Sequence, residues 1–259
     1  MRRAICGLVV MFVVAIGGQA QATLTFSGTG TGIGGAVGAK AEFDFESHDF
    51  GSGGVDAIKI ALTNTSAITT DPADLLTGVF FSFSTELGNL STTAAGFDGS
   101  ATVVTGSPGP GGKPTAAPYS SSVKDIAPAL DSTATDGGYA LTNGPFTTSS
   151  GGSNLSAYRY GISTVGATLT GLNGDDLGPP ADNYGIFAGP SDYTNPPLQS
   201  MLPLIDTVAY FWIAKPTGLT NLNQITSVGF TFGSDAFLRI TTTNTNGGGQ
   251  GGGDVVPEP

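Results

Sequence analysis

Glu42, Asp44 and Glu46 alternate with Ala41, Phe43 and Phe45, and period-two alternation puts the three acids on one face of a strand. Glycoside hydrolysis needs two carboxylates flanking a sugar, one to protonate the leaving oxygen and one to attack or to activate water. A solvated strand face produces the same alternation, so a secreted glycoside hydrolase ranks only third among the readings. His48, the sole histidine, follows in Glu46-Ser47-His48-Asp49. A His/Asp pair serves a nucleophilic triad when a serine sits on a G-x-S-x-G elbow; the chain has none, and His48 reads as a turn residue.

Calcium takes oxygen ligands, which Asp71 and Asp74 around Pro72, Asp175 and Asp176 after Asn173-Gly174, and Asp131 and Asp136 could supply. None fits the spacing of the twelve-residue calcium loop. Solvated turns and helix caps are the default, with calcium at Asp71, Asp74, Asp175 and Asp176 the alternative. Zinc would need more histidine or cysteine than the chain offers. Gly30, Gly32 and Gly35 match the dinucleotide spacing, but a strand follows them where that motif needs a helix, so they read as a hairpin. No catalytic residue and no cofactor is expected. Among the aromatics, Trp212 lies in an apolar run and reads as core. Tyr184 and Tyr193, set among Pro and Gly, are the candidate contacts for a ligand such as a sugar ring.

The elements that would position these groups are strands. Thr23–Ser27, Lys40–Glu46, Val55–Thr63, Thr77–Thr85, Ile225–Gly233 and Phe237–Thr241 alternate, with Val79, Phe81, Phe83, Val228, Phe230 and Phe232 inward. Val208–Ala214 is apolar on both faces, as a central strand would be. Turn residues separate the runs, which predicts an all-β, two-sheet antiparallel sandwich, jelly-roll-like, spanning residues 23–241. Long surface loops are expected at Gly106–Pro118, Asp131–Gly152 and Gly171–Pro203. Val123, Ile126 and Leu130 fall at near-helical spacing, so the one short helix is expected within Ser122–Leu130.

The N-terminus reads as an export signal. Arg2 and Arg3 precede the apolar run Ala4–Ile16, and Ala20-Gln21-Ala22 offers the small residues of a cleavage site, placed after Ala22. The apolar run is shorter than the ~20 residues of a spanning helix, so membrane contact is expected to be transient. Cleavage removes Cys6, the only cysteine, and leaves about 235 residues without any disulfide. It also removes two of nine basic residues, so the remaining seven against twenty acidic ones give a net charge of −13. That charge repels nucleic acid and anionic lipid. The tail from Thr242 reads as a flexible Gly-rich tether, with thirteen residues reaching roughly 20 Å, and it ends in Pro257-Glu258-Pro259.

Leader, glycine spacer and Pro-Glu-Pro together resemble the PEP-CTERM family of exosortase-dependent bacterial surface proteins. Leu24–Gly30, Ile60–Ser66, Asp74–Phe81, Tyr158–Ser163 and Ser227–Gly233 extend the likeness along the domain. The resemblance implies that an apolar helix and a basic cluster follow the tripeptide. It also implies sorting by an exosortase to the cell surface or matrix, and a link to exopolysaccharide. It brings no active site. The expected function is a structural or adhesive one at the surface; a carbohydrate-binding, lectin-like module that uses calcium is the alternative.

Overall fold

Alternation becomes strands because one face of each run can be buried only against another sheet. The computed structural model describes residues 22–32, 34–69, 71–105, 120–127, 138–146, 155–164, 184–188, 198, 203–233, 237–243 and 254–255. Thirteen strands run in chain order: β1 (Leu24–Thr31), β2 (Ala36–Asp49), β3 (Gly54–Asn64), β4 (Leu76–Phe83), β5 (Phe97–Thr105), β6 (Ser120–Ala127) and β7 (Ala140–Asn143). Then follow β8 (Tyr160–Ser163), β9 (Ile186–Phe187), β10 (Leu204–Ala214), β11 (Ile225–Phe232), β12 (Phe237–Thr243) and β13 (Asp254–Val255). The protein is all-β, and no helix among the described residues reaches seven residues.

Hydrogen bonding joins all thirteen strands into one continuous sheet, made of a first sheet with the order β1-β2-β3-β10-β5-β6 and a second with the order β7-β8-β4-β11-β12-β13. The short β9 pairs with both β10 and β4 and so joins them at a corner. Its pairing with β10 is parallel, the exception to an otherwise antiparallel pattern. Of the strands adjacent in sequence, β1–β2, β2–β3, β5–β6, β7–β8, β11–β12 and β12–β13 pair antiparallel. In the β1–β2 hairpin the Gly32 amide donates to the Gly35 carbonyl at 2.6 Å, so this glycine run is a turn.

The two sheets meet through aromatic rings. Phe43 of β2 stands edge-on to Phe81 of β4, 5.8 Å between centroids, and Phe26 packs edge-on to Phe43 at 5.9 Å. Phe211 of β10 lies 4.8 Å from Tyr139. Each such side chain contributes roughly 1.5–3 kcal/mol on full burial. Val79, Phe81, Val228, Phe230 and Phe232 are fully buried, as the alternation predicts. A smaller core lies on the far face of β4, where Phe80 packs with Phe146, Leu155 and Tyr158.

Three expectations are corrected. Ser120–Ala127 is a strand, not the short helix expected within Ser122–Leu130: it pairs with β5 along its length, which leaves Val123 75% exposed while Ile126 enters the core. On a strand, residues three apart face opposite ways, whereas a helix would have put them on one side. The loop expected over Asp131–Gly152 contains β7, with Tyr139 and Phe146 fully buried. The loop expected over Gly171–Pro203 contains β9, also buried. The Gly106–Pro118 stretch, Asp131, Asp136 and the segment 128–137 lie outside the described residues. At the chain end β12 reaches Thr243, and Asp254–Val255 returns to pair with it.

Candidate functional site

The outer face of the first sheet carries a continuous row of aromatic rings. Tyr210 and Trp212, two residues apart on β10, share that face, while Phe211 and Ile213 between and beside them are buried. β3 flanks β10 on one side and β5 on the other. Trp212 therefore sits opposite Lys59 and Asp98, and Tyr210 opposite Ala61 and Ser100. Ala61 and Ser100 are too small to cover the phenol ring. Tyr210 stays 38% exposed.

His48 reaches this face from the end of β2. Its imidazole stacks flat on the indole of Trp212, 4.5 Å between centroids and 11° between planes, and Phe50 abuts it edge-on at 4.7 Å. The rings Phe50, His48, Trp212 and Tyr210 thus form one half-exposed stripe, the last pair 6.4 Å apart.

Carboxylates hold the stripe in place. The indole N–H of Trp212 donates to Glu46 Oε1, and Lys59 Nζ donates to Glu46 Oε2 at 3.2 Å. Burial pushes the Glu46 carboxyl up, but the hydrogen bonds from Trp212 and Lys59 outweigh it and hold the group below the ordinary glutamate value. His48 Nε2 lies 2.7 Å from Asp98 Oδ2. Lys59 Nζ stands 5.5 Å from the Tyr210 ring centroid and 5.9 Å from that of Trp212, a cation–π contact with both. Beyond His48, Asp49 Oδ1 accepts from the Gly51 and Gly53 amides at 2.8 Å each and closes the β2–β3 turn. Such an arrangement offers flat ring surface bordered by fixed hydrogen-bonding groups.

Three readings from the sequence change here. Trp212 is not core: it faces outward, because from Ala209 onward the buried positions of β10 are the odd-numbered ones. His48 is not in a turn but on β2, opposite Val55. Tyr184, expected as an exposed ligand contact, is buried; its carbonyl accepts from the Tyr139 hydroxyl at 3.1 Å. The other candidates scatter. Tyr193, Asp175 and Asp176 lie outside the described residues, as do Ala20 of the expected cleavage site and Pro257, Glu258 and Pro259. Ala22 is described and exposed.

Asp71 and Asp74 are close in sequence but differently employed. Asp71 Oδ1 caps a 3-10 turn by accepting from the Ala73 amide at 2.8 Å. Asp74 is buried beneath Gly32, where an added Cβ would come within 2.0 Å of its Oδ1. Among the described residues no three His, Cys, Asp or Glu side chains gather in a way that could hold a metal ion. Of the β2 acids, Glu42 pairs with Lys40 at 2.9 Å, Glu46 is engaged as above, and Asp44 stands opposite Lys59.

Phe50, Lys59 and Asp98 were not anticipated. The Tyr-x-Trp spacing of residues 210–212 is the local signal that marks the face, since residues two apart on a strand share a side. What joins His48 and Asp98 to it is strand pairing. A second, open concavity of about 430 Å³ lies on the other sheet beside Tyr158 and Arg159. There Arg159 Nη2 donates to Asn89 Oδ1 at 2.8 Å, with Glu86 3.7 Å from its Nε.

Compared with known proteins, the chain matches no family model, no curated protein and no solved structure.

Proposed function

We propose that this is an exported bacterial surface or matrix protein with a structural and adhesive role in contact with extracellular polysaccharide, and that it catalyses no reaction. The observation that carries the reading is the half-exposed ring stripe Phe50, His48, Trp212, Tyr210 on the outer face of a sandwich. Exposed aromatic stripes on a sheet face are contact surfaces rather than leftovers, because burying them elsewhere would be worth a few kcal/mol. The leader and the Pro-Glu-Pro tail supply the route to the surface, with an exosortase as sorting partner. Glu42 and Glu46 are engaged by Lys40, Lys59 and Trp212, which suits holding a surface in shape better than hydrolysis.

A carbohydrate-binding role is the second reading, now centred on Trp212 and Tyr210 rather than on loop tyrosines. Cell fractionation and protease shaving of an epitope-tagged full chain test the display itself. The expected result is a processed, protease-accessible protein at the surface or in the matrix. An unprocessed protein resident in the cytosol overturns the proposal.

A further inference from the structure

The geometry points to a binding shelf for a neutral polysaccharide chain along the outer face of the first sheet, with Tyr210 and Trp212 as the contact rings and His48 as the residue that positions Trp212. It deepens the adhesive reading and rests on it only for where such a chain would be met.

Ring shape comes first. A pyranose presents a flat C–H face and a rim of hydroxyls, so it needs an aromatic surface with hydrogen-bonding groups at its edge. Both are present. Tyr210 is 38% exposed between the small Ala61 and Ser100, and Trp212 is half-exposed next to it. Around them stand Glu46 and Asp98 as acceptors and Lys59 as a donor, all on the same face.

Pre-organisation comes second. Trp212 is fixed at its N–H by Glu46 and across its face by His48, which Asp98 anchors in turn. A ring already held in one orientation loses little freedom when a ligand stacked on Tyr210 packs against the part of Trp212 that His48 leaves uncovered, and that saving appears as affinity.

Charge chooses the chain. The chain is acidic overall, with twenty Asp and Glu against nine basic residues, and on this face the four acids Glu42, Asp44, Glu46 and Asp98 outnumber the two lysines, Lys40 and Lys59, that pair with Glu42 and Glu46. A polyanion such as a uronate polymer would be repelled. A protein partner or a second copy would have to strip water from those same carboxylates, at a cost that sugar hydroxyls avoid by hydrogen-bonding to them.

Affinity electrophoresis of the purified protein through gels containing hydroxyethylcellulose, dextran or galactomannan, with alginate as the polyanion, tests the shelf. The expected result is retardation by at least one neutral polymer and none by alginate. Tyr210→Ala should weaken it at least about ten-fold while the protein stays folded with only a modest fall in the thermal melt, since the side chain is partly exposed. His48→Ala should weaken it less and should change the emission of Trp212, which a merely structural contact elsewhere would not. Trp212→Phe keeps a ring in place should Trp212→Ala fail to fold. The shelf is overturned by no retardation in any neutral gel, by retardation that survives Tyr210→Ala undiminished, or by binding to alginate alone. Sedimentation that shows self-association abolished by Tyr210→Ala, with no sugar effect, would assign the face to a second copy instead. Surface display can stand when the gel result fails, and the gel result can stand when display fails, so the two are told apart.

Discussion

The imidazole of His48 lies flat on the indole of Trp212, 164 residues further along the chain, at 4.5 Å and 11°. Neither residue belongs to a neighbouring strand of the other, because β3 runs between β2 and β10. The stack therefore bridges over β3 on the outside of the sheet and ties β2, β3 and β10 together. Asp98 on β5 extends the tie to a fourth strand.

Replacing His48 by alanine should remove the stack and its Asp98 partner together. A loss of about 1 kcal/mol is expected, in line with an aromatic pair at a half-exposed site. Trp212 is the only tryptophan, so its fluorescence reads the change without interference. A red-shifted emission accompanying a small fall in the denaturant midpoint is the expected outcome; unchanged emission would mean that the rings do not stack in solution.

Acid should loosen the same face. The Glu46 carboxyl titrates below its ordinary value of 4.5 in the folded protein, since its bonds to Trp212 and Lys59 outweigh burial. Its contribution to stability is thus complete above that ordinary value and is lost as pH falls through the lower folded one. The Asp49 carboxyl, held low by the Gly53 and Gly51 amides, acts in the same direction. Denaturant midpoints between pH 7 and pH 3 should fall for the native protein, and Glu46→Gln should flatten part of that slope.

Alkali acts on the second sheet. Burial pushes the Tyr158 phenol up from 10.0 to about 12, and burial raises Tyr139 as well. A group whose folded value is raised contributes fully below its unfolded value, and that contribution disappears as pH climbs through the folded one. Between pH 10 and 12 Tyr158 alone should cost on the order of 2 kcal/mol. Tyr158→Phe should reduce the alkaline loss measured by denaturation at each pH.

Gly161 on β8 faces the ring of Phe80. An added Cβ would lie 2.5 Å from Phe80 Cε1 and 2.6 Å from Cδ1, and Phe80 is itself locked edge-on to Phe146 at 5.2 Å. Gly161→Ala should therefore cost about 1–3 kcal/mol, the range for overpacking a closed core. A thermal melt of the variant within a degree of the parent would show that this small core can shift.

Several strands were legible because their alternation is unambiguous. Phe43, Phe81 and Phe230 sit where a period of two places them, since a side chain on a half-buried strand has only two directions to choose from. Ser120–Ala127 misled because Val123 and Ile126 are three apart, a spacing that suits a helix face. An edge strand needs only one partner ladder, which β5 provides, and it tolerates an exposed valine. Tyr184 misled for the opposite reason: Pro and Gly around it suggested exposure, yet β9 carries its segment into the corner between β10 and β4.

From the sequence alone follow an acidic chain with a single cysteine, an all-β fold and most inward-facing residues, because these depend on composition and on neighbours one or two positions away. Tertiary structure alone decided which face of β10 looks outward and what meets there. The run from Val208 to Ala214 is apolar on both sides, so only its place between β3 and β5 sends Phe211 and Ile213 into the core and leaves Tyr210 and Trp212 outside. His48, Glu46 and Asp98 join them through strand pairing between segments far apart in the chain, and a one-dimensional pattern holds no record of that pairing.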